Sequence, residues 1–162
     1  MTLDISFSKA PYKNTEAAVI CFYNDKEPSP SVGSLNYEFK GFVDHVLEKS
    51  KSFKGKSGQV EILMLPEGAP YSYVVLLGCG KREDFTKIEA EKLGGKLLCA
   101  LEAKKIETVE FYADNELSGC GALTAHVAVG LALRSYKFEL YQSPDEEDEK
   151  TVLSRAHFVL FE

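Results

Sequence analysis

The stretch VVLLGCGKREDF, residues 74 to 85, carries the strongest structural signal in this 162-residue sequence. A run of apolar residues leads into Gly-Cys-Gly, and charged residues follow at once. Such a run, apolar on both faces, is typical of an interior strand of a parallel sheet. Glycines directly after a strand occur in loops that hold phosphate, and also in plain connections between a strand and a helix.

A phosphate-binding loop is disfavoured by the residues that follow these glycines. A dinucleotide loop has the pattern G-x-G-x-x-G, whose third glycine lets the helix pack closely. After Gly78 and Gly80 the third position is Glu83, and Asp84 follows it. Both carboxylates would repel a pyrophosphate, and no G-K-S or G-K-T of a Walker loop follows these glycines. The stretch therefore indicates a connection, with nucleotide binding as the alternative.

A helix is predicted immediately after this connection. Thr86 and Glu89 form a capping box, which predicts a helix that continues to about Lys104. Gly94 and Gly95 lie inside it, and each costs the helix about 1 kcal/mol relative to alanine, so we expect both to pack closely against a neighbour. The residues expected to be buried are Ile88, Leu97, Leu98, Leu101 and, as a small core thiol, Cys99.

Hydrophobic periodicity predicts the remaining elements. Strands are predicted over residues 3–7, 16–23, 59–65, 73–77, 107–113 and 151–162. Helices are predicted over residues 35–50 and 116–136, and the second is rich in small residues that would let it lie close on a sheet. Strands 59–65 and 73–77 are joined by too short a turn for a helical crossover, so they must be antiparallel. The predicted fold is α/β: one domain over residues 1–162, three-layer αβα, with a mixed, mostly parallel sheet.

Composition limits the function classes. With 19 basic and 25 acidic residues the net charge is -6, which gives no general attraction to nucleic acid or anionic lipid. The basic run at residues 49–56 is interpreted as a solvated loop. No apolar run has membrane-spanning length, the start lacks a signal-peptide pattern, and the four cysteines lack zinc-site spacing. We therefore expect a cytoplasmic protein without a membrane segment.

The residue types that could carry chemistry occur singly. His45 and Glu48 are spaced as H-x-x-E on a predicted helix, but no second pair accompanies them. His126 and His157 are isolated in the sequence, and Cys120, between two glycines, has no visible base. The carboxylates Asp145 to Glu149 lie in an acidic loop that should stay solvated. We therefore assign no catalytic, cofactor-binding or metal-binding residue in this sequence.

Three motifs together resemble the N-terminal domain of the leucyl aminopeptidases of the M17 family, the cytosol aminopeptidases. They are VVLLGCGK (74–81), KLGGKLLCAL (92–101) and GLALRSYKFELY (130–141). The third is the most specific, because it matches the family pattern G-x-x-L-x-S-Y-x-F-x-x-Y in register. The matching residues are Gly130, Leu133, Ser135, Tyr136, Phe138 and Tyr141. The resemblance extends from Ile5 to Phe161.

The resemblance implies a macro-domain-like fold in which Gly78 and Gly80 turn the strand toward its helix. It also implies a parent enzyme that removes N-terminal residues, leucine preferred, from peptides with two bridged divalent ions, Mn or Zn. The family holds these ions in a C-terminal catalytic domain, whose signature N-T-D-A-E-G-R-L is missing from this sequence. The chain is then expected to be non-catalytic, to adjoin its own catalytic domain, and to help assemble a homo-hexamer and limit access to its active sites.

Two other functions stay open. A macro-domain-like module could bind ADP-ribose or another nucleotide, although the sequence has no N-A-A-N-like stretch. Some bacterial members of the family bind DNA, so a DNA-binding accessory domain is a further alternative, which the acidic balance disfavours.

Overall fold

The computed structural model describes residues 3–9, 14–24, 27–28, 48, 50–114, 122–140 and 153–161. Seven strands and two α-helices lie within these ranges. In chain order they are β1 (Asp4–Ser8), β2 (Ala17–Tyr23), β3 (Glu27–Pro28), β4 (Val60–Met64), β5 (Tyr73–Gly80), α1 (Lys87–Ala103), β6 (Thr108–Asp114), α2 (Ala122–Leu140) and β7 (Arg155–Phe161). The helix predicted over residues 35–50 lies almost wholly outside the described residues.

The strands form one sheet in the order β1-β7-β6-β2-β5-β4, and the short β3 pairs with the end of β2. Neighbours from β1 to β5 in this order run parallel. Strand β4 is antiparallel to β5, as the short turn between them requires. The predicted α/β class and the mixed, mostly parallel sheet are therefore confirmed.

Both faces of the sheet are covered at its centre, since every residue of β2 is buried. One face packs against α1 and α2 through a large apolar cluster that includes Val19, Leu77 and Leu97. The opposite face buries a second cluster, which includes Ile20 and Phe53. Such burial on both faces produces the continuous apolar runs that identified these strands in the sequence.

Helix α1 begins at the predicted cap but buries a different face from the one expected. The side chain of Thr86 accepts a hydrogen bond from the amide of Glu89, at 3.4 Å, as a capping residue does. Ile88 is 65% exposed and Cys99 is also exposed, so both burial predictions were wrong. Ile88 lies nine residues before Leu97, which at 3.6 residues per turn is half a turn out of phase. Leu97, Leu98 and Leu101 are buried as predicted.

The two helices pack on each other through glycine. A β-carbon built on Gly94 of α1 would lie 2.2 Å from the carbonyl oxygen of Val127, and one on Gly130 of α2 would lie 2.0 Å from that of Glu91. The helix backbones are thus in direct contact. The close packing predicted for Gly94 is confirmed. The small residues of α2 were expected to pack on the sheet, but Gly130 packs on α1. The same prediction was wrong for Gly95, whose nearest neighbour would be the β-carbon of Arg134 at 4.0 Å.

Two element ends differ from the prediction. Strand β5 continues to Gly80 instead of ending at residue 77, because a neighbouring segment of backbone pairs with it. Helix α2 continues to Leu140, four residues beyond its predicted end. Its predicted start, residues 116–121, lies outside the described residues.

Candidate functional site

Ligands of open parallel sheets bind beyond the carboxyl ends of the strands, where the strand order reverses. In this sheet β2 has β5 on one side and β6 on the other, so the reversal lies beside β2. A ligand-binding site is therefore expected at the carboxyl ends of these three strands.

A segment of backbone from Gly55 to Gln59 lies across the ends of β2 and β5. The amide of Gly80 donates to the carbonyl oxygen of Gly55 at 2.9 Å, and the amide of Gly78 donates to that of Gln59 at 2.7 Å. A β-carbon on Gly78 would lie 2.1 Å from the carbonyl oxygen of Lys56. Glycine is required here for close approach of another backbone.

This arrangement bears on the phosphate-loop alternative. A phosphate loop presents unpaired backbone amides to its ligand. The amides of Gly78 and Gly80 are instead paired with the segment across the sheet end. Gly80 has φ of 75° and ends the strand, as the connection between strand and helix requires, whereas Gly78 is still part of β5.

The two described histidines have partners that the sequence did not reveal. The Nδ1 atom of His126 lies 2.7 Å from a carboxyl oxygen of Glu91, so these residues join α2 to α1. His157 is buried, and its ring nitrogens lie 2.7 Å and 2.9 Å from the hydroxyls of Ser6 and Ser8. The parallel register pairs Ser6 with His157. The alternating serines of β1 are the sequence signal for this contact, because alternate residues share a face of a strand.

The other sequence candidates are dispersed or lie outside the described ranges. Glu48 is exposed, and His45, Cys120 and residues 145–149 lie outside the described residues. Cys21 and Cys79 are buried. Within the described ranges, no three His, Cys, Asp or Glu residues are grouped so that they could hold a metal ion. A bridged pair of ions needs several converging carboxylates, so the described residues do not fit such a pair.

A buried polar cluster lies near the amino ends of the strands, opposite the expected ligand edge. The side chain of Glu110 is fully buried, and Thr15 donates to it at 2.9 Å. The hydroxyls of Tyr71 and Tyr112 donate to its other oxygen at 2.5 Å and 3.2 Å and also contact each other. Arg155 donates to Thr15 at 3.3 Å. The hydrogen bonds satisfy a carboxyl group that would otherwise be costly to bury.

This cluster was missed in the sequence because its members are far apart. Thr15 precedes β2, Tyr71 precedes β5, and Glu110 and Tyr112 are alternate residues of β6. Two of them therefore share one face of a strand. Only the sheet order brings the other residues to them, so we interpret the cluster as a structural feature that joins β2, β5 and β6.

Burial, reinforced by hydrogen bonds to Glu110 and Tyr112, raises the pKa of Tyr71 far above its usual value of 10.0. The folded state therefore favours the neutral phenol. Its contribution to stability is complete below pH 10 and is lost as the pH rises beyond that, since the unfolded chain then ionises Tyr71 and the folded chain does not.

We expect Tyr71→Phe to lower the free energy of unfolding by about 1–2 kcal/mol at pH 7, through the lost hydrogen bonds. Above pH 10 this difference should shrink, because phenylalanine cannot ionise in the unfolded state. Urea unfolding of both proteins at pH values from 7 to 11 measures the difference. If it stayed constant across pH 10, the assignment of a raised pKa to Tyr71 would be wrong.

Neither α1 nor α2, the long helices of the described ranges, has the length and apolar character of a membrane-crossing segment.

The sequence comparisons with known proteins agree on one family. Residues 18–145 match the model of the cytosol aminopeptidase family, N-terminal domain. A probable cytosol aminopeptidase of Rickettsia bellii is 29% identical over 155 residues, which are 93% of this chain and 31% of that protein. That of Rickettsia canadensis is 26% identical and is covered over 30% of its length. The chain thus spans about a third of the length of the curated relatives that it matches.

Solved structures show the same fold. A mutant of tomato leucine aminopeptidase superposes with a TM-score of 0.71 at 19% identity, over 99% of this chain and 32% of that one. The macrodomain of Mycobacterium tuberculosis DarG superposes with a TM-score of 0.65 at 9% identity, over 96% of this chain and 97% of that one. The predicted macro-domain-like fold is confirmed.

Proposed function

Because this chain belongs to the cytosol aminopeptidase family, we propose that it is the non-catalytic N-terminal domain of a metal-dependent peptidase. The parent enzyme would remove N-terminal residues, leucine preferred, from peptides. The observation that carries this proposal is the pattern of coverage: relatives with this name match nearly all of this chain over less than a third of their own length. The remaining two thirds would contain the catalytic domain.

The chemistry of the described residues supports a non-catalytic role. Two bridged divalent ions, Mn or Zn in this family, polarise a water only when several carboxylates converge on them. The buried carboxyl group of Glu110 and the pair formed by His126 and Glu91 are instead used in contacts that join elements of the fold. We propose that the metals belong to the catalytic domain. We also propose that the N-terminal domain, which this chain forms, helps to assemble a cytoplasmic homo-hexamer and limits the access of peptides to its active sites.

A second candidate function is binding of ADP-ribose or another nucleotide. It is favoured by the DarG superposition, which covers 97% of that macrodomain. It is disfavoured by the use of the Gly78 and Gly80 amides in backbone pairing. Calorimetric titration with ADP-ribose distinguishes the two functions: heat with micromolar affinity would favour the nucleotide module, and absence of heat the accessory domain. Binding of DNA finds no support in the net charge of -6.

The accessory role is tested with leucine p-nitroanilide and manganese. We expect this chain alone to give no turnover, because the residues that the structure describes bring together no group of His, Cys, Asp or Glu side chains that could hold a metal ion and activate its water. A chimera in which this chain replaces the N-terminal third of the Rickettsia bellii relative should hydrolyse the substrate, whereas that relative without its N-terminal third should lose assembly. Turnover by the isolated chain at the rate of an intact aminopeptidase would refute the proposal.

A further inference from the structure

A groove of about 560 Å³ opens beside α1. Lys92, Lys96 and Cys99 of α1 line its floor at spacings of four and three residues, so they share one face of the helix. Gly58, just before β4, forms one wall, and Arg134 of α2 forms the other. This volume is within the range of pockets that hold small molecules.

The groove is basic in a protein whose net charge is -6. Lys92 forms an ion pair with Glu89, in which the Nζ atom of Lys92 lies 3.5 Å from a carboxyl oxygen of Glu89. Within the described part of the chain no carboxyl group pairs with Lys96 or Arg134. Three cations therefore line the same groove: Lys96 and Arg134, which have no carboxyl partner among the described residues, and Lys92, which is paired with Glu89. Such a concentration of one charge raises the local concentration of a ligand with the opposite charge.

The side chain of Lys96 lies against Gly58. A β-carbon built on Gly58 would lie 2.2 Å from the Nζ atom of Lys96 and 3.0 Å from its Cδ. The lysine side chain thus rests directly over the α-carbon of the glycine. Gly58 also has φ of 76°, a conformation that side chains disfavour. A side chain at position 58 would displace the end of the Lys96 side chain from this place.

Gly95 supplies independent support for a binding role. An interior glycine costs a helix about 1 kcal/mol relative to alanine. Gly94 offsets this cost by contact with α2, but the nearest atom to a β-carbon on Gly95 would be 4.0 Å away. Packing therefore does not explain Gly95. Its position in the lining of the groove does, because a side chain there would extend into the groove beside Arg134.

We propose that this groove binds a small organic anion that carries two negative charges on an apolar body. Arginine recognises carboxylate or phosphate through a planar pair of donors, and lysine adds a point charge. Val60 and Ala100 supply apolar contacts beside these charges. The proposal concerns residues outside any peptidase chemistry and does not depend on the accessory role.

The test is a titration of the folded chain with phenyl phosphate and, separately, with phthalate, followed by NMR of the backbone amides. We expect saturable shifts at Gly58, Gly95 and Lys96, and a loss of affinity as salt screens the charges. Lys96→Glu should weaken binding by roughly tenfold or more, since it replaces an attraction with a repulsion. Saturation by phenyl phosphate alone would assign a phosphate-bearing ligand, and saturation by phthalate alone a dicarboxylate.

Two further variants make the result specific. Lys87 is an exposed residue of α1 that does not line the groove. Lys87→Glu changes the net charge of the protein by the same amount as Lys96→Glu, so it should leave the affinity for the anion within about twofold of the original value. Gly95→Leu should fill the floor and abolish the shifts at Gly58 while it preserves the fold. The proposal fails if neither anion saturates the shifts, or if Lys87→Glu weakens binding as much as Lys96→Glu.

Discussion

Replacement of Gly94 by alanine is expected to lower the free energy of unfolding by about 3 kcal/mol. The added β-carbon would lie 2.2 Å from the carbonyl oxygen of Val127 and 2.9 Å from the amide nitrogen of Leu131. Both atoms belong to the backbone of α2, so no side-chain rotation can relieve the clash. The helices would have to separate, which opens voids in the apolar cluster that they share.

The adjacent residue provides a matched control. Gly95→Ala makes the same chemical change in the same helix, but its β-carbon would meet nothing closer than 4.0 Å. We expect this variant to gain about 1 kcal/mol from helix propensity. Urea denaturation of both variants measures the difference directly. Equal effects at the two positions would show that α1 and α2 are not in backbone contact.

A double variant tests whether the contact acts as one unit. Gly130→Ala should destabilise the domain as Gly94→Ala does, because its β-carbon would lie 2.0 Å from the carbonyl oxygen of Glu91. Once one alanine has separated the helices, the second alanine causes less steric clash. The two losses should therefore sum to more than the loss in the double variant. If the loss of stability in the double variant equalled the sum of the two single losses, the two glycines would belong to separate contacts.

The sequence predicted the elements of this fold better than their contacts. The apolar runs of β2 and β5 identified interior strands because both faces of the sheet are covered at its centre. Thr86 marked the start of α1 because capping is a local interaction. The face that α1 buries was misjudged at Ile88 and Cys99, since it depends on phase relative to a neighbour that the local pattern does not specify.

Glycine shows the same limit at the candidate site. In the sequence, Gly78 and Gly80 indicated a connection between a strand and a helix, with a ligand loop as the alternative. In the structure they also admit another backbone segment. Gly94 and Gly95 looked alike in the sequence and have different environments. A glycine marks a place where a side chain is excluded, whereas the group that excludes it comes from elsewhere in the chain. The basic groove was missed for this reason, because Gly58 and Arg134 reach α1 only through the fold.

Replacement of Glu110 by alanine is expected to lower the free energy of unfolding by about 3–5 kcal/mol. The carboxyl group accepts hydrogen bonds from Thr15, Tyr71 and Tyr112 in a fully buried place. Its removal leaves three buried hydroxyls without their acceptor and a cavity between β2, β5 and β6. Each unsatisfied hydroxyl costs more than the net value of its bond, since water cannot replace the acceptor.

Glu110→Gln separates the loss of acceptors from the loss of volume. Glutamine fills the same space and keeps one oxygen for the tyrosine hydroxyls, while its amide can donate to Thr15 after that hydroxyl turns. We therefore expect a loss of only about 1–2 kcal/mol in this variant. Thermal and urea unfolding of the three proteins give the ranking. If alanine cost no more than glutamine, the cluster would not hold these strands together, and its place at the amino ends of the sheet would need a different explanation.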